Sequence, residues 1–250
     1  NTAHATGGSS GGTAAGLAAS FGVVGLGSDT FGSIRNPANN NSLVGLRPSW
    51  ALISRAGMIG LYDSRDTAGP LARTVTDLVA LLDVIVGVDN ADPATTNAEN
   101  HIALTYTTCL KLDGACGKRI GVLRQAFPES CADPNVTALV NKAAETLKKC
   151  GAEIIDPFII PEFNNFKPQH HPLSEVRSAI ESYLSKTSEQ FPKTIKEITT
   201  AITPSNGNDL PISKPITKAA PTNPSKTPNH FFIVIFSFKT GPAKTFVNTG

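Results

Sequence analysis

Two short glycine-rich segments hold the residues of this chain best suited to chemistry. Residues 7–12 read GGSSGG and contain Ser9 and Ser10, and residues 27–37 read GSDTFGSIRNP and contain Ser33. A serine hydroxyl attacks a carbonyl once a neighbouring base takes its proton. It also relays protons, because it both donates and accepts. Glycine lets the backbone approach a ligand closely, so Gly32 beside Ser33 suits a loop that presents N–H groups to a substrate oxygen. GGSSGG by itself is a weak signal, more often a linker than a catalytic loop. The histidines, His4, His101, His170, His171 and His230, stand in no triad-like context and read as ordinary surface or core residues.

The elements that must carry these loops alternate between helix and strand. TAAGLAASF (13–21) reads as a short helix, and GVVGL (22–26) as a buried strand bounded by glycine. Residues 28–41 are polar and turn-rich, and SLVGLR (42–47) predicts a second buried strand. A helix is expected over 76–86 with Thr76 as N-cap and Gly87 just past its end. RIGVL (119–123) reads as a strand. Asp133 caps a helix that has Pro134 at its first position and runs to about Cys150, and a strand follows at 153–155. Strand, crossover helix and strand imply an α/β fold with a largely parallel or mixed sheet. Amphipathic helices are expected at 173–186 and 194–202. Residues 1–203 then form the folded domain. Residues 204–250, with seven prolines, five lysines and a single acid, Asp209, read as an extended or poorly ordered tail.

Bulk properties exclude several function classes. The 250 residues suffice for one domain with a substantial core or two small ones, and hydrophobic content is 40%. A net charge of +2 argues against nucleic-acid binding, which needs a concentrated basic face. No apolar run approaches the roughly 18 residues of a membrane span; the longest, Phe231–Phe236, is far shorter. Cys109, Cys116, Cys131 and Cys150 match no metal or redox spacing and read first as buried or free thiols. The sharper alternative is one or two disulfides, Cys109–Cys116 foremost. With the sequons at Asn40–Ser42 and Asn135–Thr137, that alternative is compatible with a secretory route.

Five ordered segments, GGSSGG, GSDTFGSIRNP, VGLRP (44–48), SRAGMIG (54–60) and DTAGPLARTVTD (66–77), together resemble the amidase signature family. The resemblance is dense over residues 5–95, looser to about 202, and absent from the tail. It implies an α/β/α sandwich around a mixed sheet. It implies an amide hydrolase acting through an acyl-enzyme on a small-molecule amide, with no cofactor and no metal. Residue by residue, Ser33 takes the place of the family's nucleophile and Ser9 that of its bridging serine, which follows a cis peptide bond, here Gly8–Ser9. The family separates these serines by 24 positions, and 33 − 9 = 24 holds here. The oxyanion hole maps onto the N–H groups of Thr30, Phe31, Gly32 and Ser33. Asp29 and Arg35 flank the nucleophile and read as a pair that holds the loop, while Arg47, Arg55 and Arg73 read as turn anchors.

Two departures stand out. Phe31 occupies a position that is glycine in many members and would line or narrow the acyl pocket. The family's base is a lysine upstream of the GGSSGG segment, whereas the first lysine here is Lys111. The chain thus reads as N-terminally truncated relative to the family. Alternatives are a catalytically incomplete remnant and a glutaminase-type subunit that feeds ammonia to a partner. Substrate identity and oligomeric state have no signature in the sequence.

Overall fold

The computed structural model describes residues 5–128, 130, 132–165 and 173–202. In chain order they form α1 (Gly11–Ala18), β1 (Val24–Asp29), α2 (Arg35–Asn40), β2 (Val44–Gly45), β3 (Thr67–Ala72) and α3 (Val75–Ile85). Then follow β4 (Arg119–Gly121), α4 (Pro134–Lys149), β5 (Glu153–Ile155), α5 (Leu173–Ser185) and α6 (Ile195–Ile202), with short 3-10 turns between. The expected tail, 204–250, lies outside the described residues. The chain divides into two units, whose described parts are 5–102 with 173–202, and 103–165.

In the first unit β3 is the central strand, with β1 and β2 antiparallel on either side. All six residues of β3 are buried. Its sequence, TAGPLA, is poor in the β-branched and aromatic residues that mark strands, so no local signal announces it. Pro70 also explains why β2 is shorter than the strand expected over 42–47. Leu46 N–H reaches Pro70 O at 3.1 Å, but Pro70 has no N–H to return, and the ladder stops. Gly69 is required beside it, because a Cβ there would collide with Leu46 O.

The outer edge of β1 is satisfied by hydroxyls of the preceding segment. Ser10 Oγ donates to Ser28 O and accepts from Ser28 N–H, both at 3.2 Å. Thr13 Oγ1 donates to Leu26 O at 3.1 Å. The start of α1 is thereby fastened along β1. Gly27 makes room for this, since a Cβ there would lie 2.5 Å from Ser10 Oγ. The core of the unit joins Ala14 and Leu17 of α1, Ile34, Ala38 of α2 and Leu71 of β3, with Leu43 packed against it. Helix α3 begins one residue earlier than expected. Its N-cap is Thr74, not Thr76, and Thr74 Oγ1 accepts from Asp77 N–H. Helix α5 is tied into the same unit: Ser64 N–H and Oγ both donate to Glu175, and Ala179 packs under Gly60.

Thr67, fully buried at the start of β3, carries a side-chain oxygen with no hydrogen-bond partner. A buried hydroxyl without a partner costs about 1 kcal/mol or more. Thr67→Val keeps the shape and removes the polar atom. It is expected to raise the urea midpoint by an amount equivalent to about 1 kcal/mol with an unchanged slope. A lower midpoint would show that the hydroxyl is satisfied in solution.

The second unit holds the strand–helix–strand element at nearly the expected bounds. β4 and β5 are parallel, in register from Arg119↔Glu153 to Gly121↔Ile155. Asp133 caps α4 by accepting from Asn135 N–H and Val136 N–H, with Pro134 at the first turn. Arg124 pairs with both carboxylate oxygens of Asp156, and the following Asp156–Pro157 bond is cis. Parallel and antiparallel pairings are therefore both present, in separate ladders. The Cys109–Cys116 disulfide is not formed. Cys109, Cys116 and Cys150 are all free and exposed, and Cys131 lies outside the described residues. Among the described residues no helix is long and apolar enough to cross a membrane.

Candidate active site

Both serine segments meet at the C-terminal end of β1. Ser10 N–H donates to Ser33 O at 3.1 Å. The residue before it, Ser9, is exposed, and the Gly8–Ser9 peptide bond is cis. Ser33 is half-buried and lies two residues before α2. Gly32 has φ 114°, a conformation that side chains other than hydrogen rarely adopt.

The loop between β1 and α2 is shaped by Asp29, which is fully buried. One carboxylate oxygen accepts from Gly32 N–H at 2.7 Å, and the other from Ile34 N–H at 3.2 Å. Arg35 reaches both oxygens, through Nε at 3.0 Å and Nη2 at 3.2 Å. Burial by itself pushes the Asp29 carboxyl up. The hydrogen bonds from Arg35, Gly32 and Ile34, together with the Arg35 charge, outweigh it and hold the pKa at about 2. The expected Asp29–Arg35 pair is thus present, and it also fastens two backbone N–H groups. Gly32 N–H is turned inward to Asp29. The N–H groups of Thr30, Phe31 and Ser33 have no hydrogen-bond partner among the described residues.

A second layer reaches the loop from other segments, with Arg47 in the turn-anchoring place expected of it. Arg47 Nη1 donates to Asp29 O, to Asp29 Oδ1 at 3.2 Å and to Thr30 O at 3.4 Å. Its Nη2 donates to Arg65 O at 3.0 Å. Buried Asp66 accepts from Thr30 Oγ1 at 2.5 Å and from Leu61 N–H and Tyr62 N–H. The 61–66 loop therefore grips Thr30 from outside. Phe31 remains 57% exposed. Tyr62 meets its ring edge-on at 5.7 Å, and the Arg65 guanidinium lies over it at 5.1 Å.

The other arginines serve as anchors. Arg55 forks onto Asp92 through Nε and Nη2, each at 3.0 Å, and Arg73 donates to Leu17 O and Gly22 O. A cleft of about 610 Å³ in the first unit is lined by Trp50, Arg55, Asp63, Tyr183 and Lys186, and contains neither serine segment. Among the described residues no lysine is buried, and no cluster of three His, Cys, Asp or Glu side chains is arranged to hold a metal. His101 is exposed; the other four histidines lie outside the described residues.

This architecture is that of amidase-type enzymes. The native peptide amidase from Stenotrophomonas maltophilia aligns over 80% of this chain and 41% of its own, with TM-score 0.69 and 32% identity. An amidase family protein from Bacillus anthracis str. Ames aligns over 78% of this chain and 38% of its own, with TM-score 0.67 and 34% identity. The family model described as Amidase matches residues 1–210, and the chain belongs to that family. A glutamyl-tRNA(Gln) amidotransferase subunit from Synechococcus sp. (strain CC9311) is 40% identical over 66% of this chain. The chain spans 33% of the length of that curated relative.

Proposed function

We propose that this chain supplies the nucleophile half of a hydrolase that cleaves carboxamide C–N bonds. Ser33 Oγ attacks the amide carbonyl, and Ser9 takes the proton that Ser33 releases. The tetrahedral oxyanion is stabilised at the Thr30–Ser33 turn by the N–H groups of Thr30, Phe31 and Ser33. Gly32, whose N–H is held by Asp29, sets the turn that aims them. One such donor is typically worth about 3 kcal/mol. Collapse of the intermediate expels ammonia or an amine and leaves an acyl-Ser33 ester. Water then releases the carboxylic acid. The observation that carries the reading is the backbone bond from Ser10 to Ser33, which holds the two serine segments together at one strand end.

A serine pair of this kind needs a base. The family uses a lysine, which must be neutral to act and therefore needs a pKa well below the ordinary value of about 10.4. Burial lowers it, yet no described lysine is buried. The base is accordingly assigned outside the described residues. Residues 1–250 alone are expected to hydrolyse a simple aryl amide slowly or not at all, while the same chain extended by its native upstream segment is active. Fluorophosphonate labelling and amide hydrolysis, measured side by side in the two forms, test this. Full activity in the short form, lost on Ser33→Ala, would place the base within this chain. Inactivity of both forms would favour a catalytically incomplete remnant.

The 40% identity to an amidotransferase subunit supports a second reading, a glutaminase subunit that passes ammonia to a partner. Glutamine hydrolysis stimulated by a co-purifying subunit would favour it over a free-standing amidase.

A further inference from the structure

We infer that the cleft between the 50–64 segment and α5 binds a short zwitterion of dipeptide length, its ammonium at Asp63 and its carboxylate at Lys186. The inference does not rest on the serine chemistry, because the cleft contains neither serine segment.

One wall is built round Trp50. Its indole N–H donates to Asp63 O at 3.0 Å, and the Arg55 guanidinium lies over the ring at 4.8 Å. Arg55 is itself fixed by its fork onto Asp92 and by a bond from Nη1 to Asp63 O. The next residue, Ala51, is buried with φ 65°. That conformation costs a residue with a Cβ about 1 kcal/mol and persists only where its surroundings enforce it. Trp50 is thus pinned in the wall while 40% exposed.

The other wall is one face of α5. Ala179, Ser182 and Tyr183, with Lys186 just past the helix end, follow at spacings of three and four and form one stripe. The Asp63 carboxylate lies at the Ala179 end of it. A Cβ built on Gly60 would be 2.9 Å from Asp63 Oδ1 and 3.0 Å from Ala179 Cβ. Lys186 stands two turns further on, about 10 Å by helix rise.

Charge selects the ligand. Arg55 and Asp92 neutralise each other. The Asp63 carboxylate and the Lys186 ammonium are exposed and have no partner among the described residues. The cleft therefore offers one acid and one base two helical turns apart, with Trp50, Met58 and Tyr183 as apolar surface. An α-amino acid carries its two charges on one carbon and does not span them. The termini of an extended dipeptide lie about 7 Å apart, and the flexible Lys186 side chain covers the remainder. The volume of about 610 Å³ falls in the ordinary range of small-molecule sites.

Trp50 is the only tryptophan of the chain, so its emission reports on this cleft. The test titrates the full chain, with and without its native upstream segment, with phenylalanyl-glycine, followed by Trp50 fluorescence and by calorimetry. The expected result is saturable binding to one site in both forms. Asp63→Asn and Lys186→Gln each weaken it about fivefold or more, with Tm unchanged because neither charge has a partner to lose. N-acetyl-phenylalanyl-glycine, which lacks the ammonium, binds more weakly and is indifferent to Asp63→Asn. Phenylalanine ethylamide, which lacks the carboxylate, binds more weakly and is indifferent to Lys186→Gln. Absence of both saturable heat and an emission change overturns the inference. So does binding that either variant leaves intact, binding of either analogue as tight as that of the dipeptide, or loss of binding in the extended form.

Discussion

Ser33→Ala, made in the chain extended by its native upstream segment, is expected to lower amide turnover on the order of 10⁴-fold or more. The substitution removes the oxygen proposed to form the acyl-enzyme, while the loop that presents it keeps its supports. Those supports are Asp29 on Gly32 and Ile34, Arg35 on Asp29, and Asp66 on Thr30. None of them uses the Ser33 hydroxyl, so Tm should stay within a degree or two of the parent. Fluorophosphonate labelling should vanish at all exposure times. Ser9→Ala is expected to slow turnover to a similar degree but to leave Ser33 slowly labelled, because the proposed nucleophile remains and only its proposed proton acceptor is gone. The double variant should be no slower than either single one, since residues that act as one unit are not additive. Persistent labelling of Ser33→Ala would show that another residue is the nucleophile.

Asp29→Asn should have the largest effect on stability, about 3 kcal/mol against folding. The carboxylate is fully buried and accepts from two backbone N–H groups and two arginines. An amide in its place turns an N–H₂ toward donors and leaves the Arg35 and Arg47 charges without their partner. Both guanidiniums are partly exposed, with side chains at 33% and 25%, so water softens the loss. The pH dependence follows from the lowered pKa. Asp29 titrates at about 2 when folded, against an ordinary 3.8. Its ionised form is favoured by folding, so its contribution is complete above about pH 4 and is lost as pH falls toward 2. A shift of this size is worth about 2 kcal/mol. The gap between parent and Asp29→Asn in urea midpoints should therefore narrow between pH 5 and pH 2.5. A gap that stays constant over that range would mean that the carboxylate's charge is not what stabilises the turn.

Legibility in the sequence follows the range of the interactions involved. β5 and the body of α4 match their expected positions because local signals mark them: a capping aspartate, a proline in the first turn and a β-branched run. α3 lies where it is expected, but its cap sits two residues earlier, since Thr74 and Thr76 both precede the same apolar stripe. β3 is illegible because TAGPLA has no strand propensity; its extended form is imposed by the two strands that pair with it. The Asp29–Arg35 pair is legible from its closeness in sequence. Arg47 and Asp66 act on the same loop from 18 and 36 residues away, and no local pattern reports that. Nothing in GGSSGG distinguishes Ser10 as a fastener, yet it is Ser10 that ties α1 to β1 and to Ser33.

The sequence by itself determined the family, the alternation of helix and strand, and the two serine loops with their 24-residue spacing. Short motifs and local periodicity encode these. Only the tertiary structure decided which chain segments meet. It set β3 in the centre of its ladder, turned Gly32 N–H inward to Asp29, and braced Thr30 through Asp66. It also left Cys109 and Cys116 unbridged. The β3 pairing and the Asp66 brace rest on contacts between residues distant in the chain, and Gly32, only three residues from Asp29, is turned by the burial of that carboxylate; in each case packing sets the geometry.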